Sequence, residues 1–132
     1  MGTQAKSTFE VLTWEQNPVP GDDGGVMVTR TTSGHRFSGD IDAEAVAELL
    51  MTHSSDSYAS IVGYFRVTGS LSGKSGTFVL RNESTFEGGA VRGDLTVVPG
   101  SATGELAGLS GTGEYRSEGE RAGVITLDYD LA

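Results

Sequence analysis

The chain of 132 residues carries nine Lys and Arg against eighteen Asp and Glu, a net charge of −9, and no cysteine. Its length is that of one domain, which on folding buries about two-thirds of the surface its unfolded form exposes. The acidic balance excludes nucleic acid and anionic membrane surfaces as partners, because binding to either draws on Lys and Arg, and the missing cysteines exclude disulfides, thiolate metal sites and a thiol nucleophile.

Twenty glycines are scattered without a collagen-like period among Val, Leu, Phe and Thr, as in the turns and bulges of a β protein. Residues 1–6 are expected to be a flexible N-terminus, and MGTQAKSTFEV lacks the apolar run of a secretion signal. No segment reaches the eighteen apolar residues that suggest a membrane span, so the expected location is the cytoplasm.

Residues Ser7 to Glu15 read as a first strand with Phe9, Val11 and Thr13 on one side and Glu10, Leu12 and Trp14 on the other. Apolar groups on both faces suit a barrel wall covered by another subunit, or equally a partly buried strand in a monomer. Asn17 to Gly25 is a loop of prolines and glycines whose Asp22–Asp23 pair could attract a cation or simply be a solvated turn. Val26 to Phe37 alternates as a second strand, with a bulge or bend near Ser33–Gly34.

Asp40 to His53 is ambiguous. Its Ala, Glu and Leu content favours a helix capped by Asp40 or Asp42, whereas read as a strand it places Val46, Glu48, Leu50 and Thr52 on one side. Tyr58 to Thr68 is a strand with Ile61, Gly63, Phe65 and Val67 on one face and Val62, Tyr64 and Arg66 on the other. A flexible connection at Gly69–Gly76 leads to Thr77–Glu87, where Phe78, Leu80, Asn82, Ser84 and Phe86 share the inward face. Val91, Gly93, Leu95 and Val97 make the next apolar face after the Gly88–Gly89 turn, and Gly104–Leu109 and Gly113–Ser117 are read as short strands. Gly123 to Leu131 ends the chain with Ile125, Leu127, Tyr129 and Leu131 towards the core.

FSGD at Phe37–Asp40, VTGSLSGKSGTFVL at Val67–Leu80, TFEGG at Thr85–Gly89, VVPGSATGELAGLSGTGEY at Val97–Tyr115 and the terminal TLDYDL together resemble a family of small bacterial proteins of unknown function. The fold of that family is similar to the allene oxide cyclase barrel shared by dirigent proteins. The resemblance implies an all-β fold, a closed antiparallel barrel of about eight strands, able to fill with side chains or to hold one small ligand. It also implies that Ile41 to Thr52 is a strand. In the pattern it resembles, an acid, a histidine and a tryptophan stand where this chain has Phe65, Asn82 and Leu95, which implies a less ionisable, more apolar interior here.

Common catalytic signatures fail on spacing. Gly69–Ser75 has three residues between its glycines where a phosphate loop needs four, and DIDAE has Ala45 and Met51 where a calcium loop needs Gly and Glu. No cofactor and no metal are expected. His35 and His53 are read as exposed or rim residues, a zinc site being possible only if both joined carboxylates. Glu48 is a general acid or base candidate if its face points inward, where desolvation would raise its pKa, and a surface charge if outward. Asn82 could orient a carbonyl inside the barrel or be a core amide, and Tyr64 completes the catalytic candidates. Arg81 and Glu83 are expected to form a surface ion pair.

Trp14, Phe37, Leu50, Phe65, Phe78, Leu80, Phe86, Leu95 and Tyr129 are the candidate lining of a substrate cavity. These residues suit a cofactor-free cyclase or isomerase that holds a polyketide- or lipid-like substrate in reactive geometry. A lipocalin-like binder without turnover is the alternative. The expected partners are a small hydrophobic molecule and a second copy in a homodimer, with no nucleic acid and no membrane.

Overall fold

The computed structural model describes residues 2–20, 26–117 and 121–131. Eight strands form a closed barrel in which every sequential pair is hydrogen-bonded and antiparallel. They are β1 (Thr3–Pro18), β2 (Met27–Gly39), β3 (Ile41–Ser55), β4 (Tyr58–Leu71), β5 (Lys74–Glu87), β6 (Ala90–Val97), β7 (Leu109–Ser117) and β8 (Ala122–Leu131). Pairing of β1 with β8, from Thr3↔Tyr129 to Glu10↔Ala122, closes the wall, so the sheet has no free edge along this seam. The all-β closed barrel is therefore as expected. No helix among the described residues is long and apolar enough to cross a membrane.

β3 shows why the Ala-, Glu- and Leu-rich segment is a strand. Burial alternates along it without a break, with Ile41, Ala43, Ala45, Ala47, Leu49 and Met51 inside and Asp42, Glu44, Val46, Glu48 and Leu50 outside. Both of its edges are paired, to β2 and to β4, so the ladder hydrogen bonds and this two-residue period outweigh a weak helical preference. The small alanines also make room. Phe37 lies opposite Ala43, His35 opposite Ala45, and Phe65 opposite Ala47, a small-against-large arrangement across neighbouring strands.

Several expected boundaries move. β1 begins at Thr3, so residues 3–6 belong to the barrel seam and are not a flexible tail. The expected flexible connection at 69–76 is a tight turn at Ser72–Gly73, both with positive φ, because β4 and β5 remain paired to Leu71↔Lys74. Gly104–Leu106 is a 3-10 turn where a strand was expected, held against the start of β5 by Thr103 N–H donating to the Thr77 carbonyl at 2.8 Å. It delivers the buried Leu106 to the core. The Asp22–Asp23 pair lies outside the described residues.

The expected irregularity near Ser33–Gly34 is a bulge on the facing strand. Val11 pairs with His35 and Thr13 with Gly34, leaving Leu12 as the extra residue. The bulge reverses which side chains of β1 face inward. Ala5, Ser7 and Phe9 are buried before it, and Trp14 and Gln16, opposite the buried Ser33 and Thr31, turn to the inner side after it, where Trp14 stays 43% exposed. The shift of register thus accounts for Trp14, while Leu12, the extra residue, is 51% exposed on the outer side.

Candidate functional site

One end of the barrel is closed and the other is open. At the closed end Leu71, Val97, Leu106 and Leu109 pack together in the core, and the Tyr129 hydroxyl donates to Ser72 Oγ at 3.0 Å. At the open end β1 leaves β8 after Glu10 and continues beside β2 alone to Pro18, carrying Trp14 and Gln16 past the rim of the β7–β8 wall. A cavity of about 450 Å³ lies there, bounded by Val11, Trp14, Met51, Ile61, Phe86 and Val91, with Gln16, His53, Asp56, Ser117 and Arg121 among its polar members.

The lining from β3 to β6 follows from strand alternation. Met51 and His53 continue the inward face of β3, Ile61 that of β4, Phe86 that of β5 and Val91 that of β6. One wall is polar. Gln16 Nε2 donates to Thr29 Oγ1 at 2.9 Å, and Thr29 Oγ1 is also 2.9 Å from His53 Nε2. Gln16 and His53 are thereby held at the cavity surface with a fixed orientation.

Tyr115 forms part of the floor, stacked on Phe9 with ring centroids 4.7 Å apart. Burial raises the pKa of its phenol above the usual tyrosine range, so it is a hydrogen-bonding group and not a base near neutral pH. Beneath it His35 is enclosed by Phe9, Phe37, Phe65 and Tyr115, with centroid separations of 5.0–6.4 Å. Burial without a charged partner lowers the His35 pKa to about 4.

The three catalytic candidates do not meet. Glu48 and Tyr64 are on the outer wall, opposite each other in register, because they alternate with the inward Ala47, Leu49 and Phe65. Glu48 accepts from Arg30 Nη2 at 2.8 Å and from Thr32 Oγ1, and these bonds lower its pKa instead of raising it. Asn82 alone is inside, a buried core amide with its Oδ1 accepting from Ser84 Oγ. The expected ion pair between Arg81 and Glu83 is present at 3.3 Å.

The expected lining divides into four groups. Trp14 and Phe86 border the cavity. Phe65, Phe78, Leu80 and Leu95 are buried in the packed core, Phe37 and Tyr129 fill it towards the closed end, and Leu50 is on the outer wall, 47% exposed. His53 is at the rim as expected, but His35 is buried, against expectation. A zinc site using both is geometrically impossible: His35 pairs with Ala45 and Met27 with His53, so the two stand about 26 Å apart at roughly 3.3 Å per residue of strand.

Gln16, Met51, Ile61, Val91 and Tyr115 were not among the expected site residues. Ile61 and Val91 were legible, since they share faces with Phe65 and Leu95. Gln16 was hidden by the bulge, and Tyr115 by the shortness of β7.

Residues 5–129 match the family DUF3224, described as a protein of unknown function. A crystal structure of a protein of unknown function from the DUF3224 family of Shewanella oneidensis MR-1 is similar, with a TM-score of 0.80 and 27% identity over 100% of this chain and 98% of that one. No curated protein matches the chain.

Proposed function

We propose that this chain, which belongs to the DUF3224 family of proteins of unknown function, encloses a small hydrophobic molecule in the open end of its barrel. The observation that carries this reading is the 450 Å³ cavity walled by Trp14, Met51, Ile61, Phe86 and Val91 above a closed, packed floor. Binding without turnover is the better supported form, because Glu48 and Tyr64 face away from the cavity and Asn82 lies beneath it. The catalytic form, a cofactor-free cyclase or isomerase of a polyketide- or lipid-like substrate, draws its support from Gln16 and His53, which could polarise a carbonyl at the cavity wall.

The chain has one tryptophan, and it borders the cavity. Emission from Trp14 therefore reports occupancy directly. Titration with isopropylbenzene and with a panel of polyenes and epoxides is expected to give a saturable change, abolished by Ile61→Glu. Mass spectrometry of the same mixtures separates the two forms, since only the enzyme yields product. Trp14 emission that responds to none of these probes overturns the reading.

A homodimer belongs to the same proposal, on a different surface from that suggested by β1. The outer wall of β3 and β4 exposes Val46, Leu50, Val62 and Tyr64. One register row across the wall reads Arg30, Leu50, Val62, Glu83. A two-fold axis between β3 and β4 sets the apolar pair of one copy against that of the next, with Arg30, paired to Glu48 in its own copy, facing Glu83, paired to Arg81 in its own. Sedimentation is expected to show a dimer that Val62→Lys dissociates. A wild-type monomer at micromolar concentration rules the dimer out.

A further inference from the structure

The inner face of β2 is polar for most of its length. Thr29, Thr31, Ser33 and His35 all point into the barrel and all are buried. The first two have partners, Thr29 with Gln16 and His53, and Thr31 donating to the Met51 sulfur at 3.8 Å. The last two do not: Ser33 Oγ and His35 Nδ1 are buried polar atoms without a hydrogen-bond partner. Polar groups in protein interiors are nearly always bonded, and leaving one unmade is costly. Two on successive inward positions of one strand leave a pair of unmade hydrogen bonds facing the interior.

The place adjoins the cavity. Ser33 is the register partner of Trp14, and His35 of Val11, both of which border the cavity, and Tyr115 separates the cavity from the His35 ring. Opposite these two residues β3 presents Ala47 and Ala45, two of the three alanines on its inner face. We propose that Ser33 and His35 form a polar subsite under the cavity, reached past the Tyr115 side chain, which receives an uncharged hydroxyl or carbonyl group of the ligand while its apolar body stays against Trp14, Met51, Ile61, Phe86 and Val91. The subsite deepens the proposed function and rests on it.

The surroundings select the chemical class. No charged side chain packs on the His35 ring, whose neighbours are Phe9, Phe37, Phe65 and Tyr115. A carboxylate or ammonium brought there would lose its hydration without a counter-charge, whereas a hydroxyl can donate to the imidazole nitrogen and accept from the serine. The ligand class is thus a neutral alcohol or ketone on a compact hydrophobic frame.

Isopropylbenzene and 1-phenylethanol test this, being of similar shape and differing by a methyl group against a hydroxyl. The alcohol is much the better hydrated, so a purely apolar cavity would bind it about tenfold or more weaker. With the subsite, 1-phenylethanol is expected to bind at least as tightly as isopropylbenzene by Trp14 emission. Ser33→Ala and His35→Phe are each expected to weaken the alcohol about tenfold, the loss of one buried hydrogen bond, and to leave the hydrocarbon unchanged. In wild-type protein labelled with nitrogen-15 at histidine, the alcohol is expected to move the His35 Nδ1 resonance and the hydrocarbon to leave it in place.

A tenfold preference for the hydrocarbon, an unmoved His35 resonance, or equal effects of the substitutions on both probes would overturn the subsite while the cavity reading stands. Failure of both probes to change Trp14 emission overturns the two together.

Discussion

His35 sits where a phenylalanine would be unremarkable, in a box of aromatic rings, and the consequence is electrostatic. Its folded pKa of about 4 lies below the ordinary 6.5 because burial disfavours the imidazolium. Above pH 6.5 the group is neutral folded or unfolded and contributes no pH dependence. Between 6.5 and 4 the unfolded chain takes up a proton that the folded chain refuses, so stability falls as pH falls, and below 4 the contribution levels off. The shift corresponds to about 3 kcal/mol. Urea denaturation of wild type and His35→Phe, compared between pH 7 and pH 4, is expected to show the wild type losing about that much relative to the variant. Carboxylates titrate alike in both proteins and cancel, so a difference independent of pH would contradict the assignment. Ser33 and His35 were both on the page of the sequence as part of an alternating run. That they are buried without partners was not legible, because it depends on which side chains the neighbouring strands bring alongside.

At the scale of the element, the glycines do two kinds of work. Gly63 lies mid-strand in β4 between Leu49 and Asn82, and a Cβ there would stand 2.1 Å from the Glu48 carbonyl oxygen and 2.8 Å from Leu49 Cα. Backbone cannot yield as a side chain does. Gly73, in the turn between β4 and β5, has open space around its missing side chain and a φ of +86°. Gly63→Ala is expected to cost about 3 kcal/mol through overpacking, and Gly73→Ala about 1 kcal/mol through the left-handed backbone alone. Chemical denaturation of the two variants measures this, and equal costs would mean that β3 and β4 can separate at Gly63 without penalty. The same scale accounts for what pattern reading missed in β1. Alternation assumes an unbroken register, and the bulge at Leu12 breaks it, sending Trp14 inward and Thr13 outward.

The whole molecule depends on one seam that joins residues near its two ends. Thr3 to Lys6 pair with Tyr129 to Thr126, and Ser7 Oγ, which accepts from Ile41 N–H at 2.7 Å and donates to the Ile41 carbonyl at 3.0 Å, ties β1 to the start of β3. Removing residues 2–6 is expected to leave β8 with an unpaired edge, to broaden the urea transition and to promote association visible by sedimentation. A truncated protein with the wild-type midpoint and a single species would show that the seam is dispensable to closure. The order of this fold, in which every strand pairs with its neighbours in sequence, also explains why the architecture was open to prediction: only the β1–β8 pairing is remote.

The class of fold, the positions of most strands and the inward placement of Phe65, Phe78, Leu80, Asn82, Leu95 and Ile125 were legible in the residues, because alternation is local and a strand carries it wherever it goes. The sequence could not decide between helix and strand for residues 41–52 from the residues alone, since propensity is weak and the deciding hydrogen bonds belong to β2 and β4. Nor could it place Glu48 and Leu50 outside, since the segment that carries them was itself undecided, or choose which end of the barrel is open. Those follow from closure: once β8 meets β1, every face is inside or outside together, the turn carrying Leu106 packs against the start of β5, and the overhang of β1 and β2 leaves Trp14 at the edge of a cavity.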